Sequence, residues 1–330
     1  MPENEAIQDT DAELIEVLKS LKTNIKIFGC GGSGSNTITR IMEEGIQGAD
    51  VIAANTDAQA LLLTQARKKI LLGKRTTRGL GAGAIPQVGE MSAREAEQEI
   101  NAAVEGADIV FVTAGMGGGT GTGSAHVVAE IAKNAGALVI SVVTTPFTSE
   151  GVMRKENALW GLEKLKEKSD TIVVIPNDKL LQLVPRLPLN EAFRFADEIL
   201  MQSIKGLTEM VTRPGLVNLD FNDLKTVMKD GGTAMIGIGQ SGSQDRAHDA
   251  ANKAMNSPLL DLEISSATSA IVSVTGSSNM SVEEAHVVLE EVGKRINPNA
   301  RIIWGARIDD SMKNDIKVLA ILVGAKNKYV

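Results

Sequence analysis

The chain has 330 residues, 43% of them hydrophobic and 23% charged, with a formal net charge of -7. That length and apolar content suffice for a large core split between two domains, and the acidic balance gives no electrostatic basis for a nucleic-acid partner, which demands clustered Lys and Arg. The single cysteine, Cys30, excludes an intrachain disulfide and suits a reducing, cytoplasmic compartment, while His126, His248 and His286 show no zinc-site spacing.

Residues 1–23 are acidic, and Leu14, Ile15, Val17, Leu18 and Leu21 follow a helical period. A short amphipathic helical extension is expected there, not a signal peptide or a direct membrane insertion. From residue 25 onward, apolar runs suited to strands (25–29, 50–55, 69–73, 108–115, 137–145 and 171–176) alternate with helical patterns (36–44, 57–65, 89–104, 121–135 and 152–167). Continuous apolar strands separated by helices predict an α/β fold over residues 24–187, a doubly wound and mostly parallel sheet covered on both faces. An unbroken helical period from Asn190 to Val211 predicts a long central connecting helix over 188–213. Helix 221–229, strand 233–240, helix 244–255, strand 268–276, helix 281–294 and strands 300–308 and 316–324 then predict a smaller α+β C-terminal domain over 214–330.

Chemistry concentrates in two glycine loops. The first, "GCGGSGSN" (29–36), matches the dinucleotide fingerprint Gly29-x-Gly31-x-x-Gly34, with Asp50 or Asp57 at roughly the expected distance for a ribose. It lacks the Lys-Ser/Thr pair of a P-loop. The second, "GMGGGTGTGSA" (115–125), also precedes a helix, and a dehydrogenase has no use for it. Its consecutive glycines let backbone N–H groups converge on phosphate oxygens, Thr120 and Thr122 add hydroxyls, and the helix supplies its positive end. Two such loops at the carboxyl edge of one sheet can cradle a triphosphate from both sides. A third cluster, "GLGAG" (79–83), is either a plain connection or a loop closing over the terminal phosphate.

"GGGTGTG", "NTDAQAL" (55–61), "PFTSEGVMR" (146–154), "IPNDKL" (175–180), "FRFAD" (193–197) and "RPGLVNLDFNDLKTVM" (213–228) together resemble the tubulin/FtsZ family, on its cell-division branch, over residues 24–325. The resemblance implies a GTPase that binds GTP and GDP with nucleotide-borne Mg²⁺. It assigns the first loop (Gly31, Gly32, Ser33, Gly34, Ser35 and Asn36) and the second (Gly117, Gly118, Gly119, Thr120, Gly121 and Thr122) to the phosphates and part of the nucleoside. Glu150 and Arg154 would meet ribose and phosphate oxygens, Phe193 would stack on the base, Asp197 would accept the guanine N1–H and N2–H, and Asn177 would add a contact. On spacing alone, Glu150 and Arg154 are an ordinary ion pair, Phe193 a core residue and Asp197 a solvated one.

The resemblance further implies that Asp220 and Asp223, with Asn218, enter the nucleotide pocket of the next subunit and polarise the attacking water. By pattern alone, the two carboxylates are a helix N-cap and a macrodipole pair. The implied assembly is a head-to-tail protofilament, placed in the cytoplasm as a ring at the division site. After the last strand only "GAKNKYV" (324–330) remains, so the adaptor peptide of bacterial relatives is not expected, and the membrane adaptor or regulator is left unidentified. Ser33 and Ser35 stand where many relatives carry glycine. The competing readings are a regulatory paralogue that binds GTP without turnover and an NAD-dependent oxidoreductase.

Overall fold

A computed structural model describes residues 23–183, 188–213, 215–260 and 264–325, so the helix expected over residues 1–23 and the final "KNKYV" fall outside the described residues. The first part of the chain runs β1 (Ile25–Cys30), α1 (Gly31–Glu43), β2 (Ala49–Asn55), α2 (Ala58–Leu63), β3 (Lys68–Leu71), α3 (Pro86–Glu95), α4 (Glu97–Val104), β4 (Ile109–Gly115) and α5 (Thr120–Asn134). It continues through β5 (Leu138–Thr145), α6 (Val152–Lys168), β6 (Thr171–Pro176) and α7 (Asn177–Leu183) to α8 (Leu189–Thr212). The remainder is α9 (Phe221–Met228), β7 (Gly232–Ser241), α10 (Arg246–Met255), β8 (Ser269–Gly276), α11 (Val282–Gly293), β9 (Arg301–Ile308) and β10 (Ile316–Val323).

Among the described residues all ten strands join one sheet in the order β3-β2-β1-β4-β5-β6-β7-β10-β8-β9. From β3 to β7 the neighbours are parallel, and β10 then lies antiparallel to both β7 and β8. The C-terminal strands are thus continuous with the first sheet through a short parallel pairing, Thr171 to Val173 against Gly232 to Ala234. Helices cover both faces, as continuous apolar strands require. Ile38 and Ile41 of α1 and Ile199, Leu200, Ile204 and Leu207 of α8 pack on one face, and Val128 of α5, Leu162 of α6 and Ile100 of α4 on the other.

The helix expected over 89–104 is two helices, because Ala96 leaves the helical conformation (φ -96°, ψ 19°) and its N–H turns to Ala93 O at 3.1 Å. α7 went unpredicted, since seven residues directly after a strand are too few to show a period. No side chain caps the start of α8. Packing holds it instead: burying Ile199, Leu200, Ile204 and Leu207 is worth ~8 kcal/mol against leaving them exposed.

Close approach fixes the neighbours of α5, the helix that follows the second glycine loop, as well. A Cβ on Gly123 of α5 would stand 2.5 Å from the Glu90 amide nitrogen of α3. Glu90 in turn accepts from Lys164 of α6 at 2.9 Å, tying α3 to α6 over α5. Gly123→Ala therefore destabilises the protein by about 2 kcal/mol, read as a lower urea midpoint at unchanged slope.

Candidate active site

The strand order reverses between β1 and β4, and in a doubly wound sheet the crevice outside the carboxyl ends of such a pair is where ligands bind. Both glycine loops leave from these two strands. α1 starts at Gly31, five residues before the sequence pattern suggests, so the loop is itself the first helical turn. The N–H groups of residues 31–33 then have no acceptor within the helix, and no side chain caps them. α5 likewise starts at Thr120 without a side-chain cap. Two positive helix ends thus face one crevice.

The loops press together there. Gly31 has φ +73°, and a Cβ on it would stand 2.6 Å from the Gly121 nitrogen, so both backbone freedom and space demand glycine. The cleft of about 410 Å³ between the loops is lined by Gly32, Ser33 and Asn36 from the first and Gly118, Gly119, Thr120 and Gly121 from the second. Gly31 and Gly34 do not line it; Gly31 serves the contact between the two loops and Gly34 the contact of its loop with β1 and β4. Gly117 and Thr122 do not line it either. Thr122 is fully buried and its Oγ1 accepts the Gly117 N–H at 2.9 Å, so this hydroxyl braces the loop from behind, where the sequence pattern suggested a phosphate donor. The Thr120 hydroxyl lies 2.6 Å from that of Thr56, which fixes its direction.

Asn157 of α6 donates to Ala84 O at 3.1 Å and to Gly117 O at 3.3 Å, pinning the 79–85 connection against the second loop. Glu150 and Arg154 both line the cleft and pair at 2.5 Å. They do not share one helix: Glu150 ends a short 3-10 turn, where it also accepts the Phe147 N–H at 2.8 Å, and α6 begins after Gly151. Asn177, at the start of α7, is buried beside the cleft, and its Oδ1 has no hydrogen-bond partner among the described residues.

α8 brings Phe193 and Asp197 to the same cleft. The Phe193 ring is 37% exposed and meets Phe147 edge-on at 5.1 Å, leaving a face available for stacking. Asp197 is only 6% exposed, and burial pushes its carboxyl up to about 6, against hydrogen bonds from Ser33 and Asn36 and the charge of Arg40. Beyond Asp197 the crevice continues into a wider recess of about 870 Å³ that includes Ser35, Arg40 and Arg194. The buried Ser35 hydroxyl has no partner among the described residues. Arg40 and Arg194 were missed in the sequence, although Arg40 lies one turn beyond Asn36 on α1.

Asn218, Asp220 and Asp223 are exposed and line none of this. Asp220 caps α9, its Oδ1 accepting the Asp223 N–H at 2.8 Å, and Asn218 Oδ1 accepts the Gly215 N–H at 2.5 Å. α8 separates them from the cleft. Thr212 at its end touches Gln47 and Gly48, the residues leading into β2, so this end lies at the amino edge of the parallel strands. The glycine loops lie at the carboxyl edge, and fifteen residues from Asp197 to Thr212 span about 22 Å of helix axis.

The acids that a dinucleotide site would use are committed elsewhere. Asp50 pairs with Lys26 at 2.6 Å near the amino end of β2, and Asp57 caps α2 through the Ala60 N–H at 3.0 Å. The Tubulin/FtsZ family GTPase domain matches residues 24–185, and the FtsZ family C-terminal domain matches residues 232–326. The chain belongs to the tubulin/FtsZ family. As a tubulin/FtsZ GTPase it binds GTP and GDP, and the oxidoreductase reading falls.

Its relatives include cell division protein FtsZ 1 of Archaeoglobus fulgidus, 55% identical over 99% of this chain and 89% of the relative. The cell division protein FtsZ 1 of Methanocaldococcus jannaschii is 54% identical over 96% of this chain and 87% of the relative. An FtsZ dimer of M. jannaschii superposes with a TM-score of 0.92 at 54% identity, over 96% of this chain and 92% of that one. CetZ1 of Haloferax volcanii, at 20% identity and a TM-score of 0.81 over 92% of this chain and 95% of that one, shares the fold.

Proposed function

We propose that this GTPase assembles head to tail into protofilaments and hydrolyses GTP only where two subunits meet. The observation that carries the reading is the opposition of two half-sites. A nucleotide cleft opens at the carboxyl edge of the parallel strands, and Asn218, Asp220 and Asp223 stand exposed at the other end of α8. Stacked copies place the second half-site of one over the first half-site of the next, an interface that repeats without closing.

The two helix N-termini hold the phosphates, with Gly32, Gly118, Gly119, Thr120 and Gly121 around them. Glu150 accepts ribose hydroxyls and Arg154 donates to sugar or phosphate oxygens. Phe193 stacks on the base, Asp197 accepts its N1–H and N2–H, and Asn177 and Ser35 offer their free polar atoms. From the neighbour, Asp220 and Asp223 polarise the attacking water and Asn218 positions it. Besides Asp197, Glu150 is the one carboxylate among the described residues that line the cleft, and Arg154 already engages it, so this donor set fits Mg²⁺ carried by the phosphates of the nucleotide.

Hydrolysis at the contact loosens it and couples chemistry to turnover of a division-site ring. We assign its attachment there to an adaptor; among the described residues no helix is long and apolar enough to cross a membrane. The test is phosphate release from GTP with Mg²⁺ across a dilution series, followed beside light scattering. Activity per molecule rises above a critical concentration; activity independent of dilution would place the complete site in one chain. One observation favours a second reading, a regulatory paralogue without turnover: the Asp220 cap on α9 gives that carboxylate a structural use. GTP binding with no phosphate release at any concentration would select it.

A further inference from the structure

Ser33 belongs by sequence to the phosphate loop, yet its side chain serves another part of the cleft. Its hydroxyl donates to Asp197 Oδ1 at 3.2 Å, joining α1 to α8 across 164 positions of sequence. The serine has little room to leave, because a Cβ on Gly115 would stand 2.7 Å from the Ser33 Cβ. Ser33, Asn36 and Arg40 follow one another at intervals of three and four along α1, so they share a face, and that face looks onto Asp197.

We propose that Ser33 is a positioning residue for base selection: its hydroxyl holds the Asp197 carboxylate in the orientation that accepts the adjacent N1–H and N2–H donors of guanine. The inference rests on the reading of Asp197 as the base acceptor. An ionised carboxylate has about four acceptor sites, so one bond from Ser33 leaves both oxygens able to serve the base. Without that bond the carboxylate can turn about its terminal torsion, which is broad and weakly restrained. A guanine with two donors loses more from that freedom than hypoxanthine, which keeps N1–H and lacks the amino group.

The same contact sets a pH response. Guanine needs the ionised acceptor, and burial holds the Asp197 carboxyl at about 6, so affinity falls as pH drops through that value. The other charges around the carboxylate are Arg40 and Glu43 of α1 and Arg194 of α8, with Glu150 and Arg154 across the cleft. Ser33 and Arg40 both favour the charged form. Removing either moves the loss of affinity to higher pH.

The experiment measures affinities for guanosine, inosine and adenosine diphosphates, which avoid turnover, from about pH 5 to about pH 8. Wild type, Ser33→Ala, Arg40→Gln and Asp197→Ala are compared. In Ser33→Ala, guanosine diphosphate weakens about fivefold while the inosine and adenosine compounds weaken less, and the low-pH midpoint rises. Arg40→Gln moves that midpoint in the same direction. Equal weakening of all three nucleotides at an unmoved midpoint would mean that Ser33 only shapes the phosphate loop, which overturns the proposal. Should Asp197→Ala keep the guanine preference, the base-acceptor reading fails and the proposal fails with it; loss of that preference in Asp197→Ala with Ser33→Ala like wild type overturns the proposal alone.

Discussion

Asp220→Asn lowers kcat for GTP by at least about a hundredfold while nucleotide affinity and stability stay near wild type. The substitution separates the two uses of this side chain. As a cap, Asp220 accepts the Asp223 N–H at 2.8 Å, and asparagine caps a helix as well as aspartate does, so α9 keeps its start. As a catalyst, Asp220 supplies negative charge to polarise water, and an amide cannot. Asp220→Ala would confuse the two by adding about 1 kcal/mol of lost capping.

A mixing assay then locates the carboxylate. Asp220→Asn keeps an intact cleft, and Asp197→Ala keeps an intact catalytic loop. At GTP levels that fill only the intact cleft, each variant alone is silent. An equal mixture recovers about a quarter of wild-type activity, because half of the clefts are intact and half of the facing loops are intact. Silence in a mixture that visibly co-assembles would place both half-sites in one chain.

The glycine loops were legible because consecutive glycines have few other uses, and the parallel strands because their apolar runs are continuous. Other features depend on directions that a sequence does not carry. Thr122 read as a phosphate donor, but only the phase of α5 reveals that its hydroxyl turns inward to Gly117. The start of α1 was hidden since glycines suppress helical propensity in the very turn whose free N–H groups matter.

Long-range features were less visible still. The C-terminal domain was legible as a change of pattern, but its joining of the first sheet was not, because the sheet runs on from β6 to β7 through three residue pairs only, with α7, α8 and α9 between them in sequence. Phe193 and Asp197 read as ordinary helix residues on spacing, and the family resemblance alone singled them out. The contact of Ser33 with Asp197 follows no local rule, because it arises from the docking of α1 on α8. Arg40, also on that docked face, carried no motif of its own.

Asp197→Asn exchanges the preferred base from guanine to xanthine, with a swing in relative affinity of about a hundredfold or more. The carboxylate presents acceptors only, and they match the N1–H and N2–H donors of guanine. An asparagine amide presents one acceptor and one donor. Its oxygen still meets N1–H, but its NH₂ group now opposes the guanine amino group, leaving two donors face to face in a site where Asp197 is 6% exposed. Xanthine carries a carbonyl at that position, which the amide NH₂ can satisfy. Ser33 adapts as well, since its hydroxyl can donate to the amide oxygen as it does to Oδ1. The swap also removes the titration of this side chain, because an amide does not ionise, so the residual guanosine diphosphate binding of the variant stays flat where that of the wild type falls through about pH 6. Competition binding of guanosine and xanthosine diphosphates to both proteins checks it. Unchanged preference in the variant would move base recognition away from α8, toward Asn177 or Asn36 on the facing elements of the cleft.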